Sequence, residues 1–259
     1  MKKYIPLALL FLFIGTGAAA YVERVKIRDW YEVATRAPLP PPLEVTEFTP
    51  VAEQTKPAGT KPVVPQSAGL PAQINLAVPM VYQAPFSNWD EVHEETCEEA
   101  SMLMIQGYLR NVKSYTRQQM EDELLKIVKY EVDTFGYFED TTAKETVKVM
   151  KEYFGMKNVS IVPLTSAEQI KTYLASGVPV TVPASGTLLK NPNFRNGGPP
   201  YHMIVIKGYT KDGYFIANDP GTRLGADFLY KEATIMEAAH DWNGGDVLKG
   251  DKLLIVAKK

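Results

Sequence analysis

The only cysteine of the 259-residue chain, Cys97, is the clearest candidate for covalent chemistry and stands in the segment EETCEEAS. Thr96 and Glu99 have capping-box spacing, which predicts a helix beginning at Cys97 with Glu99 reaching back to its first turn. A thiol there faces unpaired N–H groups and the positive end of the helix dipole, which lower a cysteine pKa from ~8.5 towards ~3.5 to 7.5. Glu98 and Glu99 need not face the sulfur, because successive helical side chains diverge. The alternative is that Cys97 is a small buried hydrophobe.

A nucleophilic thiol needs a base, and His202 is the best placed of three histidines because it opens the strand-like run HMIVIKGY. Asp219 ends the next run, GYFIAND, and Asp212 with Gly213 has the composition of a hairpin turn between the two. Strands joined in this way pair antiparallel, so the start of the first lies beside the end of the second. The sequence therefore predicts that Asp219 neighbours and orients His202. Each residue also has a purely structural interpretation, His202 as a strand-end histidine and Asp219 as a turn residue.

An acyl-transfer site also requires hydrogen-bond donors for the developing oxyanion. Gln83 precedes Cys97 in an extended segment, and its amide could act together with the Cys97 backbone N–H. The loop at residues 185–200 is a candidate determinant of substrate choice.

Helices must position the cysteine, and strands must position the histidine and the aspartate. Capping-box spacings at Thr116, Thr142 and Ser166 predict three helices after the one that begins at Cys97. Short apolar runs separated by glycine and aspartate turns then predict strands. Helices followed by strands indicate an α+β domain with an antiparallel sheet.

Composition excludes several classes of function. The chain has 28 Lys and Arg against 30 Asp and Glu, a balance that lacks the basic surface of a nucleic-acid binder. A single cysteine allows neither an intrachain disulfide nor a four-thiolate zinc site. His93, His202 and His240 are far apart without HExxH spacing. We therefore expect no metal or other cofactor.

The N-terminus predicts export. Lys2 and Lys3 precede an apolar run at residues 5–14, followed by an Ala-rich stretch suited to cleavage. Residues 1–22 are accordingly a signal peptide or an uncleaved signal anchor. Residues 23–75 are interpreted as a juxtamembrane segment and a Pro-rich linker, and residues 76–259 as the globular domain. The expected location is outside the cytoplasm, either membrane-anchored or secreted.

The segments VPMVYQAPF, TCEEASMLM, HMIVIKGY and GYFIANDPGT together resemble the papain-like cysteine peptidases. The resemblance is closest to the double-glycine leader, or bacteriocin-processing, peptidase-like family and its stand-alone exported bacterial members, and it covers residues 76–259. It implies a papain-like α+β fold in which an N-terminal helical part carrying the cysteine helix packs on a C-terminal antiparallel sheet. In that family, Cys97 would be the nucleophile, His202 the base and then the acid, Asp219 the orienting residue and Gln83 the oxyanion donor.

Two features depart from the family pattern. Thr96-Cys97-Glu98 replaces the Asp-Cys-Gly of many members, and Gln83 lies farther from Cys97 than is usual. The expected function is a cysteine peptidase acting on a peptide or protein substrate. The alternatives are a cell-wall amide hydrolase or transpeptidase, and an inactive surface binding module of the same fold.

Overall fold

The computed structural model describes residues 24, 27, 30–31, 34–35, 38–44 and 69–259. The chain divides into two compact units, Met1–Leu39 and Pro40–Lys259. In the first unit the described residues 24, 27, 30, 31 and 34 are helical. No helix among the described residues has both the length and the apolar character needed to cross a membrane. The predicted signal segment at residues 1–22 lies outside the described residues.

Helices come first in the second unit and strands dominate later, as the sequence predicts. The helices are α1 (Cys97–Leu109), α2 (Arg117–Phe135), α3 (Ala143–Glu152), α4 (Ala167–Ala175), α5 (Gly186–Leu189) and α6 (Glu232–Ala238). The strands are β1 (Ile74–Asn75), β2 (Asn158–Pro163), β3 (Val180–Ala184), β4 (His202–Tyr209), β5 (Tyr214–Asn218), β6 (Phe228–Lys231) and β7 (Leu253–Lys258). The α+β class is therefore confirmed.

The strands form one antiparallel sheet in the order β2-β7-β3-β4-β5-β6, and β1 pairs with β4. All eight residues of β4 are buried. Because alternate residues of a strand point to opposite faces, both faces of this central strand are covered. Helix α1 packs against β4, and α3 packs against β2 and β7. The sheet centre is thus the core on which the cysteine helix rests.

Local signals set the helix boundaries that the sequence predicts. Thr116 and Thr142 form complete capping boxes at the starts of α2 and α3. At α4, the Ser166 side chain accepts the Gln169 N–H, but the Gln169 side chain turns to Thr165. Gly177 follows α4 with φ +78°, the left-handed conformation that glycine adopts without steric cost.

The Pro-rich segment contacts the second unit. Leu43 forms a parallel bridge with Leu76, and the Asn75 side chain donates to the Pro40 carbonyl at 3.1 Å. Residues 40–44 thus belong to the compact unit, and β1 begins two residues before the predicted domain boundary at residue 76. Periodicity could not predict this contact, because it is made by backbone groups and by the polar side chain of Asn75.

Candidate active site

Cys97 is the first residue of α1, as predicted, and is 5% exposed. One turn later, the Ser101 hydroxyl donates to the Met203 carbonyl at 3.2 Å. Residues four apart lie on the same helix face, so this bond fixes the face that carries Cys97 against β4. Met203 directly follows His202, and a backbone hydrogen bond from Met203 reaches the sulfur. The cysteine is therefore held next to the start of β4.

The expected capping box at Thr96 is wrong. Its side chain makes no cap bond, and its hydroxyl instead donates to the Gln83 carbonyl at 3.1 Å. Glu99 does not reach back to the helix start but is fully buried, with its carboxyl group against that of Glu131 on α2. Tertiary packing thus overrides the local motif, because the hydroxyl has a partner on the neighbouring segment.

The expected low pKa of Cys97 is also wrong for this conformation. The thiol donates to Glu98 Oε2 at 2.9 Å, so Glu98 does face the sulfur. Burial, followed by the charge of Glu98 and the bond to it, raises the pKa of the Cys97 thiol well above its usual range. Burial and the charge of Glu99 likewise raise the pKa of Glu98. Burial and the neighbouring carboxyl groups therefore raise the pKa of Cys97 by more than the helix dipole lowers it.

His202 and Asp219 are neighbours, as the hairpin predicts. His202 opens β4, Asp219 follows β5, and His202 Nε2 lies 2.8 Å from Asp219 Oδ1. An ionised carboxylate only accepts hydrogen bonds, so His202 Nε2 is the donor. The edge of the Phe194 ring meets the imidazole at a centroid distance of 5.2 Å. The imidazole is thus fixed in one orientation.

Asp219 is fully buried and accepts hydrogen bonds at both carboxylate oxygens. Besides His202, the Gly221 N–H donates to Oδ1 at 3.0 Å, and Asn191 and Tyr230 donate to Oδ2. Burial alone would raise the pKa of Asp219, but the charge of His202 and these bonds lower it below its usual value. The carboxylate therefore stays ionised beside the imidazole. The local sequence pattern did not predict that Asn191 and Tyr230 contact Asp219, because they reach it from a loop and from β6.

Gln83 is buried close to His202. A Cβ placed on Gly221 would lie 2.7 Å from His202 Cε1 and 3.3 Å from Gln83 Oε1. The Gln83 amide nitrogen donates to the carbonyls of His93 and Glu94, at 2.9 and 3.1 Å, in the loop before α1. Its two N–H groups are therefore used, and Oε1 is buried without a hydrogen-bond partner among the residues that the structure describes. The predicted donor role of Gln83 requires this loop to move.

His93, which the sequence does not link to this site, holds that loop. It is buried, with Nδ1 2.6 Å from Asp90 Oδ1 and Nε2 3.1 Å from Glu121 Oε2 on α2. Hydrogen bonds from His93 lower the pKa of Asp90.

In the part of the chain that the structure describes, no group of three or more His, Cys, Asp or Glu could hold a metal ion.

Cys97 begins a helix that packs on β4, and His202 opens β4 with its imidazole hydrogen-bonded to Asp219, an arrangement like that of the papain-like cysteine peptidases. A family model described as the Peptidase_C39 like family matches residues 75–244. This is more than half of the chain, which therefore belongs to that family of cysteine peptidases.

A crystal structure of a Bacillus anthracis protein assigned as a C39-like peptidase has 16% sequence identity and a TM-score of 0.48, covering 72% of this chain and 98% of that chain. No curated protein matches this chain.

Proposed function

We propose that this chain hydrolyses peptide bonds outside the cytoplasm, with Cys97 as nucleophile and His202 as its base and acid. The observation that carries the proposal is the His202 imidazole. Its Nε2 is hydrogen-bonded to Asp219 Oδ1, and His202 directly precedes Met203, whose backbone reaches the Cys97 sulfur. A base that is oriented by a third group is the arrangement that nucleophilic catalysis requires.

In the proposed acylation, His202 Nδ1 takes the proton from the Cys97 sulfur, which attacks the carbonyl carbon of the peptide. The imidazolium then protonates the leaving amine, and a thioester remains on Cys97. Water attacks the thioester after His202 has removed its proton, and the thiol is restored. Asp219 stabilises the imidazolium in both halves of the cycle and does not itself take a proton.

The oxyanion is proposed to be bound by the backbone N–H of Cys97, which at the first position of α1 has no intrahelical partner. Gln83 would add a second donor when the loop at residues 84–96 releases its amide. Export or anchoring by residues 1–22 is part of the proposal and rests on the basic and apolar pattern of that segment.

The proposal is tested by incubating the full-length protein with a peptide library and sequencing the products by mass spectrometry. We expect cleavage that is lost in Cys97→Ala and reduced about 10²- to 10⁴-fold in His202→Ala. A library that also contains cell-wall peptides tests the amide hydrolase and transpeptidase alternative, since the latter yields joined products.

The buried, protonated state of the Cys97 thiol favours a second candidate, an inactive binding module of the same fold. That candidate predicts peptide binding without cleavage, unchanged in Cys97→Ala.

A further inference from the structure

Glu98 is the side chain in direct contact with the sulfur, although it is 1% exposed. Its Oε2 accepts the Cys97 S–H at 2.9 Å, and its Oε1 accepts the Thr141 backbone N–H at 3.0 Å. No hydrogen bond joins Cys97 to His202 in the described part of the chain. The thiol is therefore directed towards the carboxylate and not towards the imidazole.

Among the described residues, the groups that act on Glu98 include no cation. On α1 it is flanked by Cys97 and Glu99, and the segment before α3 contributes Asp140 and the Thr141 N–H. The Tyr201 hydroxyl donates to the Thr141 carbonyl nearby. A buried carboxyl group without a neighbouring cation depends on its hydrogen-bond donors, because an acceptor oxygen left without a donor is costly away from water. Glu98 therefore has a strong physical reason to retain the S–H.

A single proton shared by Cys97 and Glu98 would reside mainly on the sulfur. An ordinary thiol has a pKa of ~8.5 and an ordinary glutamate one of ~4.3, so thiolate with carboxylic acid is disfavoured by roughly 10⁴-fold against thiol with carboxylate. Burial raises the pKa of both groups and thus favours the neutral thiol whether or not Glu98 is itself protonated. Glu98 is therefore a poor base for this thiol but an effective partner for its neutral form.

We propose that Glu98 is a further positioning residue of the reaction, which holds Cys97 as a neutral, unreactive thiol until substrate binds. This inference rests on the proposed function. For attack, the S–H must leave Glu98 Oε2 and face His202. The S–H bond then breaks as an N–H bond forms at Nδ1, the sulfur electron pair bonds to the carbonyl carbon, and the carbonyl π pair moves to oxygen.

A neutral thiol benefits an enzyme whose only cysteine works outside the cytoplasm. The thiolate is the form that oxidants and alkylating agents attack, and its loss to sulfinic acid is irreversible. Holding the proton on the sulfur between turnovers lowers the thiolate fraction without removing the nucleophile. Replacing Glu98 should therefore make the resting enzyme more reactive.

The test is the rate of Cys97 alkylation by iodoacetamide against pH in the full-length protein, for wild type, Glu98→Gln and Glu99→Gln. We expect Cys97 to be alkylated about tenfold faster at neutral pH in Glu98→Gln than in wild type. The pH at the midpoint of the rate profile should be lower by about one unit or more. Glu99→Gln is the matched control, because this buried glutamate is next in the chain but faces Glu131. Its shift should be smaller.

If the midpoint of the alkylation profile is higher in Glu98→Gln than in wild type, Glu98 acts as the base. If it is the same, Glu98 has no role at the sulfur. Either result overturns the inference. If the variant does not fold, the thiolate absorbance of wild type is titrated instead. A midpoint above the usual ~8.5 supports the inference, and one below it overturns it.

Peptide cleavage by wild type is measured separately. Cleavage with an unchanged Glu98→Gln profile overturns only the inference. A shifted profile without cleavage overturns only the proposed function.

Discussion

Glu99 on α1 and Glu131 on α2 bury their carboxyl groups against each other. No ion pair neutralises either group in the described part of the chain. Burial, with the charge of Glu98 next, raises the pKa of Glu131 to about 8, and burial with the charge of Glu131 raises that of Glu99 well above its usual range. Two like charges cannot both be held there at low cost, so the pair retains a proton at neutral pH.

This pair predicts that stability falls as pH rises. A folded-state pKa above the unfolded value of 4.5 gives stability that is complete below pH 4.5 and is lost as pH rises through about 8. Over that window the free energy of unfolding should fall by about 1.4 kcal/mol per pH unit for each retained proton. Urea unfolding at a series of pH values measures the slope.

Glu131→Gln removes one of the two carboxyl groups. The fall in unfolding free energy with pH should become shallower by the contribution of about one proton. Asp122→Asn, at an exposed position of α2, is the control and should leave the slope as it is. An unchanged slope in Glu131→Gln would contradict the shared proton.

Replacing Gly221 by alanine should give a variant that folds but cleaves peptides more slowly. An alanine Cβ there would lie 2.7 Å from His202 Cε1, closer than the ~3.5 Å of an ordinary carbon contact. The imidazole must move, and a displacement of about 1 Å costs roughly 10²-fold in rate. We expect Gly221→Ala to lose peptide cleavage by about that factor with little change in its melting temperature. Full activity would mean that the imidazole has room to move.

Asp219 should matter more for rate than the groups that support it. Asp219→Asn should lower kcat/KM by about 10²- to 10⁴-fold, because the imidazolium loses its counter-charge. Tyr230→Phe removes one of two donors to Oδ2, so it should cost about 1 to 3 kcal/mol of stability and less activity than Asp219→Asn. Equal losses of activity in the two variants would instead make the tyrosine part of the chemistry.

The pKa of Asp219 adds a pH dependence of the opposite sign. Because it is lowered in the fold, the stability it contributes is present above its unfolded value of 3.8 and is lost as pH falls through the folded value. Acid unfolding of wild type and of Asp219→Asn measures this contribution. The variant should lose less stability than wild type as the pH falls below 3.8.

Residues 40–44 should stabilise the second unit. Backbone hydrogen bonds join Leu43 with Asn75 and Ala77, and Pro40 accepts from the Asn75 side chain. Deleting residues 40–44 should lower the free energy of unfolding by about 1 to 3 kcal/mol, because buried Asn75 loses a partner. A melting temperature that the deletion leaves unchanged would contradict this contact.

Much of the candidate site could be predicted from local pattern. The start of α1 at Cys97, the start of β4 at His202 and the turn after β5 each depend on residues within a few positions of one another. A tight hairpin then requires His202 and Asp219 to be neighbours. Capping boxes at Thr116 and Thr142 were equally reliable, since both partners lie in the same turn.

The predictions that failed concern side chains whose direction is set by distant segments. Thr96 and Glu99 match a capping box, but Gln83 takes the hydroxyl and Glu131 faces the carboxyl group. The pKa of Cys97 was predicted from its helix position, whereas its actual environment is a buried contact with Glu98. Burial and charge depend on everything packed around a group, which spacing along one element does not contain.

The sequence by itself determined the order of elements, the α+β class and the residues that could do chemistry, because periodicity, capping and turn composition act over short distances. Only the tertiary structure decided that the thiol faces Glu98, that the Gln83 N–H groups are already bonded, and that Asn191 and Tyr230 support Asp219. Glu98 is next to Cys97 in the chain, but its carboxyl group is also bonded to the distant Thr141 N–H, and the other contacts join residues ten or more positions apart. Their geometry follows from how helices, loops and the sheet pack together, and that packing is a property of the whole fold.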